Sequence, residues 1–315
     1  MAGTHDHDHG YRDSQVKKRL SLAVKLTAII FVAELVGGYM TNSLALISDA
    51  MHVFMDMVAL SLSFFAIFIS AQPPTETRTY GMHRAEVFVS FLNGASLVLV
   101  SIFIIYKAYF RFLNPAEVEG IGMLVIAVIG LIVNVLVAFW LHDFAKDDLN
   151  VKSAFLHVVG DLAASVGVII AAIVISFTGW NTIDPLISVL IGVIILYGSG
   201  RIVLEASHIL LEGVPRGIEF SDVLEDITSV KGVTGVHNMN IWSICHNINA
   251  LSAHVGVDER RLEGHAKILA EINEMLAEKH HISYTTVQIE CSRCDDCGGV
   301  LREVKHSERR EHKCG

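Results

Sequence analysis

The sequence predicts a membrane α-helical protein of six transmembrane helices, followed by a small cytoplasmic α+β ferredoxin-like domain of order α-β-β-α-β. Three observations predict it. Apolar residues gather into six stretches of about 20 or more, the length that crosses a hydrocarbon core about 30 Å thick. The 315 residues are 52% hydrophobic and only 18% charged, against about 25% charged in a soluble chain. From about Glu212 the composition changes to that of an ordinary soluble domain.

The six stretches run from about Leu20 to Thr41, Ser43 to Ala71, Val87 to Phe112, Ile121 to Leu141, Ser153 to Phe177 and Pro185 to Leu204. Between them lie Gly37-Gly38 and Asn42, Gln72-Pro73-Pro74, Asn114-Pro115, the run from His142 to Asn150, and Gly179 to Pro185, which carry turn chemistry. No cleavable signal peptide is expected, because the first apolar stretch is too long for an h-region. Arg12, Lys17, Lys18, Arg19, Arg78, Arg84, Lys146 and Lys152 fall on one side of the bundle, while Lys107 and Arg111 sit near one helix end on the other. Positive loops face the cytoplasm, so both termini are expected there. The short loops and absence of targeting signals suggest a bacterial inner membrane.

Beyond the spans, Phe220 to Val230 reads as a short amphipathic helix, Val233 to Ile244 and Ile248 to Val257 as strands, Arg261 to Lys279 as a helix and Ile282 to Glu290 as a third strand. Four regions follow: a His/Asp-containing N-terminal tail over 1–19, the transmembrane domain over 20–211, the cytoplasmic metal-binding domain over 212–291 and a Cys-containing charged tail over 292–315. A formal net charge of -9 without a basic stripe argues against nucleic-acid binding.

Chemistry is concentrated in the histidines, of which there are 16. In the second stretch His52 precedes Asp56 by four residues, and in the fifth His157 precedes Asp161 by four, so each pair shares one helix face. Ionisable groups at membrane depth cost at least about 2.5–3.5 kcal/mol each, which a matched duplicate makes hard to ascribe to packing polarity alone. Two imidazoles and two carboxylates form a tetrahedral N/O set suited to Zn²⁺, and two aspartates balance one divalent charge. The two helices are antiparallel in the expected topology, which puts His52 beside Asp161 and Asp56 beside His157. Asp49 lies one turn from His52 and is expected along an exit path. Glu34, Asn42, Asn93 and Asn134 are expected as hydrogen-bond partners between helices, and Asp184 as the cap of the sixth helix, with Pro185 in its first turn.

In the soluble part, His237 and His254 fall on adjacent predicted strands, His265 on the helix, and Glu290 at the end of the third strand. Cys291, Cys294 and Cys297 form CxxCxxC, a metal-binding rather than disulfide pattern in a reducing compartment, although three ligands are one short of the four zinc prefers.

Six spans, HxxxD in the second and fifth, the stretches SDAMHVFMD and YGMHRAEVF, and an α+β tail containing VHNMNIWSICHNINALSAHV resemble the cation diffusion facilitator family, most closely its zinc-exporting branch of bacterial efflux proteins and vertebrate zinc transporters. The resemblance implies a homodimeric metal–proton antiporter in the lipid bilayer. His52 and His157 imply Zn²⁺ as substrate, with Cd²⁺ or Co²⁺ as alternatives. It also implies tail-domain zinc ligands at His237, His254 and Glu290, with His265 a further candidate. In the loop between the second and third stretches it implies a further metal position at His83, with His280 and His281 as candidate partners, and charge contacts of Arg84 and Glu86 to the dimer partner. An N-terminal motif meeting a C-terminal CxxC is part of the family's plan in some vertebrate members, and here would join His5, His7 and His9 to the three cysteines.

The functional expectation is a secondary transporter exporting Zn²⁺ in exchange for protons, with a regulatory zinc-binding tail. The alternative is a membrane-anchored zinc sensor or store, for which the four membrane ligands would be dispensable. A metalloenzyme would need an open metal position, and a channel would need a site weak enough for rapid escape.

Overall fold

The computed structural model describes residues 24–142, 149–245, 248–257, 265–291 and 300–301, with the side chains of 140–142, 149–159 and 291 left undescribed. Helix α1 is described over 24–40. It is followed by α2 (Leu44–Ser70), α3 (Arg84–Leu113), α4 (Gly120–His142), α5 (Leu149–Thr178) and α6 (Ile183–Leu210). The tail holds α7 (Phe220–Ser229), β1 (Val233–Cys245), β2 (Ile248–Val257), α8 (His265–His280) and β3 (Ile282–Cys291). Five helices among the described residues, α2 to α6, are long and apolar enough to cross a membrane.

Helix ends follow local chemistry. Asn42 takes φ +54° in the turn before α2, a left-handed conformation that asparagine tolerates. Gly179, at φ +68°, ends α5. Helices α5 and α6 exceed their apolar windows: α5 starts at Leu149 and α6 continues to Leu210. An apolar window marks the hydrocarbon, whereas helical hydrogen bonding continues into polar sequence. At about 1.5 Å per residue, the 28 residues of α6 exceed the hydrocarbon thickness by about 12 Å.

The chain divides into two compact units, one comprising 1–65 with 90–203, the other 66–89 with 204–315. The core of the first is built from small and branched side chains. Ala45 and Leu46 on α2 cluster with Met123 and Ala127 on α4, Ala171 and Ala172 on α5, and Ile191 on α6. Small residues permit close helix approach where lipid supplies no hydrophobic drive. At Gly120 a Cβ would lie 2.6 Å from the Ser176 hydroxyl, so only glycine allows α4 to start against α5. Phe64, Phe139 and Phe177 are exposed, as side chains facing lipid would be.

Asp184 departs from expectation. It does not cap its own helix. Its carboxylate accepts hydrogen bonds from the Ser43 hydroxyl at 2.6 Å, from the Leu44 amide at 2.8 Å and from the Ala45 amide at 3.1 Å. It therefore caps α2, whose first amides have no intrahelical acceptor.

In the second unit the three strands lie in the order β1-β2-β3. β1 and β2 pair antiparallel, and β2 and β3 pair parallel through the α8 crossover. Val223 and Ile227 of α7 and Ile268, Ile272 and Leu276 of α8 pack on Ile241, Leu251 and Val255 of the sheet. The loop between α2 and α3 belongs to this unit, where the Tyr80 ring meets the Tyr284 ring edge-on at 6.3 Å.

Candidate metal centres

The first cluster lies in the helical unit. His52 and Asp56, four residues apart on α2, face α5. His52 Nε2 is 3.5 Å from an Asp56 carboxylate oxygen and 3.9 Å from an Asp161 oxygen. One ligand atom from each of the three lies within 4.8 Å of the others. Tetrahedral ligands about 2.05 Å from a zinc ion are about 3.3 Å from each other. The observed separations exceed ordinary hydrogen-bond lengths and approach that ligand-to-ligand spacing. Asp161 is nearly buried, while His52 and Asp56 are partly exposed. His157 falls on α5 one turn before Asp161, and its side chain lies outside the described residues.

Asp49 is buried at 3% exposure, and its Oδ1 has no hydrogen-bond partner among the described residues. Glu34 on α1 is equally buried, and its Oε2 likewise has none. A Cβ at Gly130 on α4 would stand 2.8 Å from its other oxygen. Of the four polar residues expected to bridge helices, Asn42 lies in the turn before α2 and donates to the Glu117 carbonyl in the loop before α4 at 2.9 Å, joining two loops rather than two helices.

The second cluster lies on the tail sheet. His237 and His254 sit directly opposite on β1 and β2, with ring centroids 5.2 Å apart. Glu290 on β3 reaches both: one oxygen is 3.0 Å from His237 Nε2, and the other is 2.7 Å from His254 Nδ1. All three are partly buried. This is a two-nitrogen, one-carboxylate set of the type zinc binds with a fourth position left over. Its short distances match the hydrogen bonds that the same groups make to each other without an ion.

Two supporting residues were not anticipated. Gln288 donates to Glu290 at 2.9 Å. It precedes Glu290 by two residues on one strand, so the two-residue alternation carries that signal. The Asn238 amide lies 3.2 Å from His254 Nε2. Alternation would send Asn238 to the face opposite His237. A register shift between His237 and Asn240, with Asn238 at φ +50°, instead turns it toward His254.

Other candidate positions stand apart. His265 begins α8 outside the triad. His83 lines a cavity of about 1230 Å³ with Arg84, Glu212 and Trp242, and it joins neither ligand group found among the described residues. His280, its proposed partner, is instead held by Asp226: His280 Nε2 and Lys279 Nζ each reach that carboxylate at 2.6 Å. The Lys279 and His280 hydrogen bonds hold the Asp226 carboxyl below the usual carboxylate range. Arg84 pairs within its own chain, with Glu212 at 3.0 Å, and Glu86 accepts from the Ser70 hydroxyl. His5, His7, His9, Cys294 and Cys297 lie outside the described residues, as does the Cys291 side chain, whose backbone ends β3.

Comparison with known proteins adds a family. Residues 20–211 match the cation efflux transmembrane domain, and residues 215–292 match the cytoplasmic domain of cation efflux proteins. The chain is 36% identical over 307 residues to the "Cadmium, cobalt and zinc/H(+)-K(+) antiporter" of Bacillus subtilis, covering 96% of this chain and 98% of that one. It is 39% identical over 295 residues to the "Metal cation efflux system protein CzcD" of Cupriavidus metallidurans, covering 94% and 92%. It is 38% identical over 285 residues to the "Zinc transporter ZitB" of Yersinia pestis, covering 89% and 90%. With both of its parts matched in order, the chain belongs to the cation diffusion facilitator, or cation efflux, family.

Proposed function

We propose that the chain is a secondary active transporter that exports Zn²⁺ from the cytosol in exchange for protons. The observation that carries this reading is the meeting of His52, Asp56 and Asp161 across α2 and α5 at ion-sized spacing, with His157 one turn from Asp161 as the fourth ligand. Zinc preference is supported by imidazole in the ligand set and by relatives named for zinc, one of which is also named for cadmium and cobalt. We take Cd²⁺ and Co²⁺ as alternative substrates.

The site couples metal to protons by competition. Imidazole binds metal only when neutral, and carboxylates only when ionised, so binding releases protons. Facing the cytosol, the site exchanges protons for Zn²⁺. Facing the other side, it takes protons back and releases the ion. Each elementary charge moving inward through about 100 mV supplies about 2.3 kcal/mol. Asp49, one turn from His52, lines the route between the site and the far side.

In this reading the membrane part has six spans, with α1 as the first, and it ends near residue 211 with both termini in the cytoplasm of a bacterial inner membrane. The tail over 212–291 is a ferredoxin-like module. Zn²⁺ at His237, His254 and Glu290 ties three strands together, holds the homodimer and favours transport when cytosolic zinc is high. Asn238 and Gln288 orient two of these ligands. His5, His7, His9, Cys291, Cys294 and Cys297 are proposed as a second cytoplasmic metal set, with His265 and His83 as accessory positions.

Uptake of Zn²⁺ into vesicles carrying the reconstituted protein tests the site. His52→Ala and Asp161→Asn are expected to reduce uptake by at least tenfold, since loss of even an outer-shell partner costs about 10–100-fold in metal affinity. Wild-type uptake by both variants would overturn the proposed site.

A further inference from the structure

The strongest unexplained feature is a carboxyl side chain with no accessible surface that belongs to neither ligand cluster. Asp184 on α6 is 0% exposed. It holds the Ser43 hydroxyl and the Leu44 and Ala45 amides at 2.6–3.1 Å. Ser43 in turn accepts from the Leu46 amide at 3.2 Å. A serine cap and a foreign carboxylate thus share the first turn of α2. The Arg111 guanidinium of α3 stands 3.9 Å from the same carboxylate and donates to the Asn42 carbonyl. The neighbouring turns are pinned as well. The Glu119 amide donates to the Thr41 carbonyl at 3.0 Å, and the Val118 amide to the Asn181 side chain at 3.3 Å.

We propose that Asp184 is a positioning residue for metal transport: its clasp on the first turn of α2 fixes the rotation and axial height of the helix that carries Asp49, His52 and Asp56. The inference rests on the transport-site reading above. Leu44 precedes His52 by eight residues, about 12 Å along the helix, so Asp184 touches no ligand. Within α2 the His52–Asp56 spacing is set by the helix itself. The distance from His52 to Asp161 is different, because Asp161 belongs to α5 and that gap depends on how α2 is seated. A carboxylate answering three donors of one helix from another helix specifies that seating. Burial makes the arrangement stringent, because a buried charge left without its donors is costly.

The test is Zn²⁺ uptake by vesicles of the full-length protein, read as KM and turnover separately. The variants are Asp184→Asn, Ser43→Ala and their combination, with Asp161→Asn as reference. Asp184→Asn keeps one acceptor oxygen and loses the charge. Its KM for Zn²⁺ is expected to rise on the order of tenfold, as for other groups that orient metal ligands. Ser43→Ala should raise KM less, and the double variant should fall short of the product of the two effects. A carboxylate that only stabilised the bundle would lower the active fraction, and hence turnover, at unchanged KM. Unchanged KM in Asp184→Asn, or strictly multiplicative effects, would overturn the proposal. If Asp184→Asn fails to fold, Ser43→Ala decides alone: a raised KM supports the clasp and an unchanged KM overturns it. Wild-type uptake by Asp161→Asn would instead remove the transport site on which the clasp depends.

Discussion

In the proposed transport site, an imidazole between two carboxylates exchanges a metal ion for protons. His52 occupies that position, 3.5 Å from Asp56 and 3.9 Å from Asp161. Asp161 contributes from the opposite helix and is the more buried of the two acids, so the Asp161→Asn loss predicted above should be the least rescued by raising external zinc. Outside the membrane, Asp226 gives a pH prediction. Its folded pKa is lowered by Lys279 and His280, so the ion pair is fully stabilising above the ordinary carboxylate value of about 3.9 and is lost as pH falls through the lower folded value. Hydrogen exchange should show α7 and α8 amides protected alike at pH 6 and pH 5, with protection falling below about pH 4. Asp226→Asn should remove only the pH-dependent part of that protection, a small part because the ion pair is screened by solvent. At this scale the sequence was informative where chemistry is local: HxxxD puts both groups on one face by helical period alone. It misplaced Asp184, read as the cap of the sixth helix, because its partners lie about 140 positions away in the chain. Pro185 beside it pointed to the wrong helix, because a residue that suits one helix start can cap another.

At the scale of elements, the tail triad depends on the sheet. Opposed positions on β1 and β2 bring His237 to His254, and the parallel β2–β3 register brings Glu290 alongside. His237→Ala with His254→Ala is expected to remove one bound Zn²⁺ per chain, measured by metal analysis of the purified protein, while uptake through the membrane site persists at altered zinc dependence. Unchanged stoichiometry would remove this site from the account. The strands and both tail helices were legible from alternation and amphipathic period. The irregularity between His237 and Asn240 was not, since a bulge breaks the two-residue rule that strand reading relies on. For the same reason Asn238 went unnoticed, whereas Gln288 obeys the rule. Helix ends past the hydrocarbon were equally hidden: Glu205, Ser207 and His208 end the apolar window but not α6.

At the scale of the whole molecule, the composition already separated two environments, and the chain matches a two-part family along nearly its full length. The packing adds that the loop between α2 and α3 belongs with the tail, a grouping no hydropathy profile contains. The central claim is exchange of metal for protons at a site of paired histidines and aspartates. It is tested most directly by loading vesicles that carry the protein with a pH-sensitive dye and adding Zn²⁺ outside, with and without an imposed pH gradient. The account predicts that an interior more acidic than the exterior accelerates Zn²⁺ entry and that each pulse of Zn²⁺ drives protons out, both effects vanishing in Asp161→Asn. Zinc entry that is indifferent to the gradient and moves no protons would contradict it.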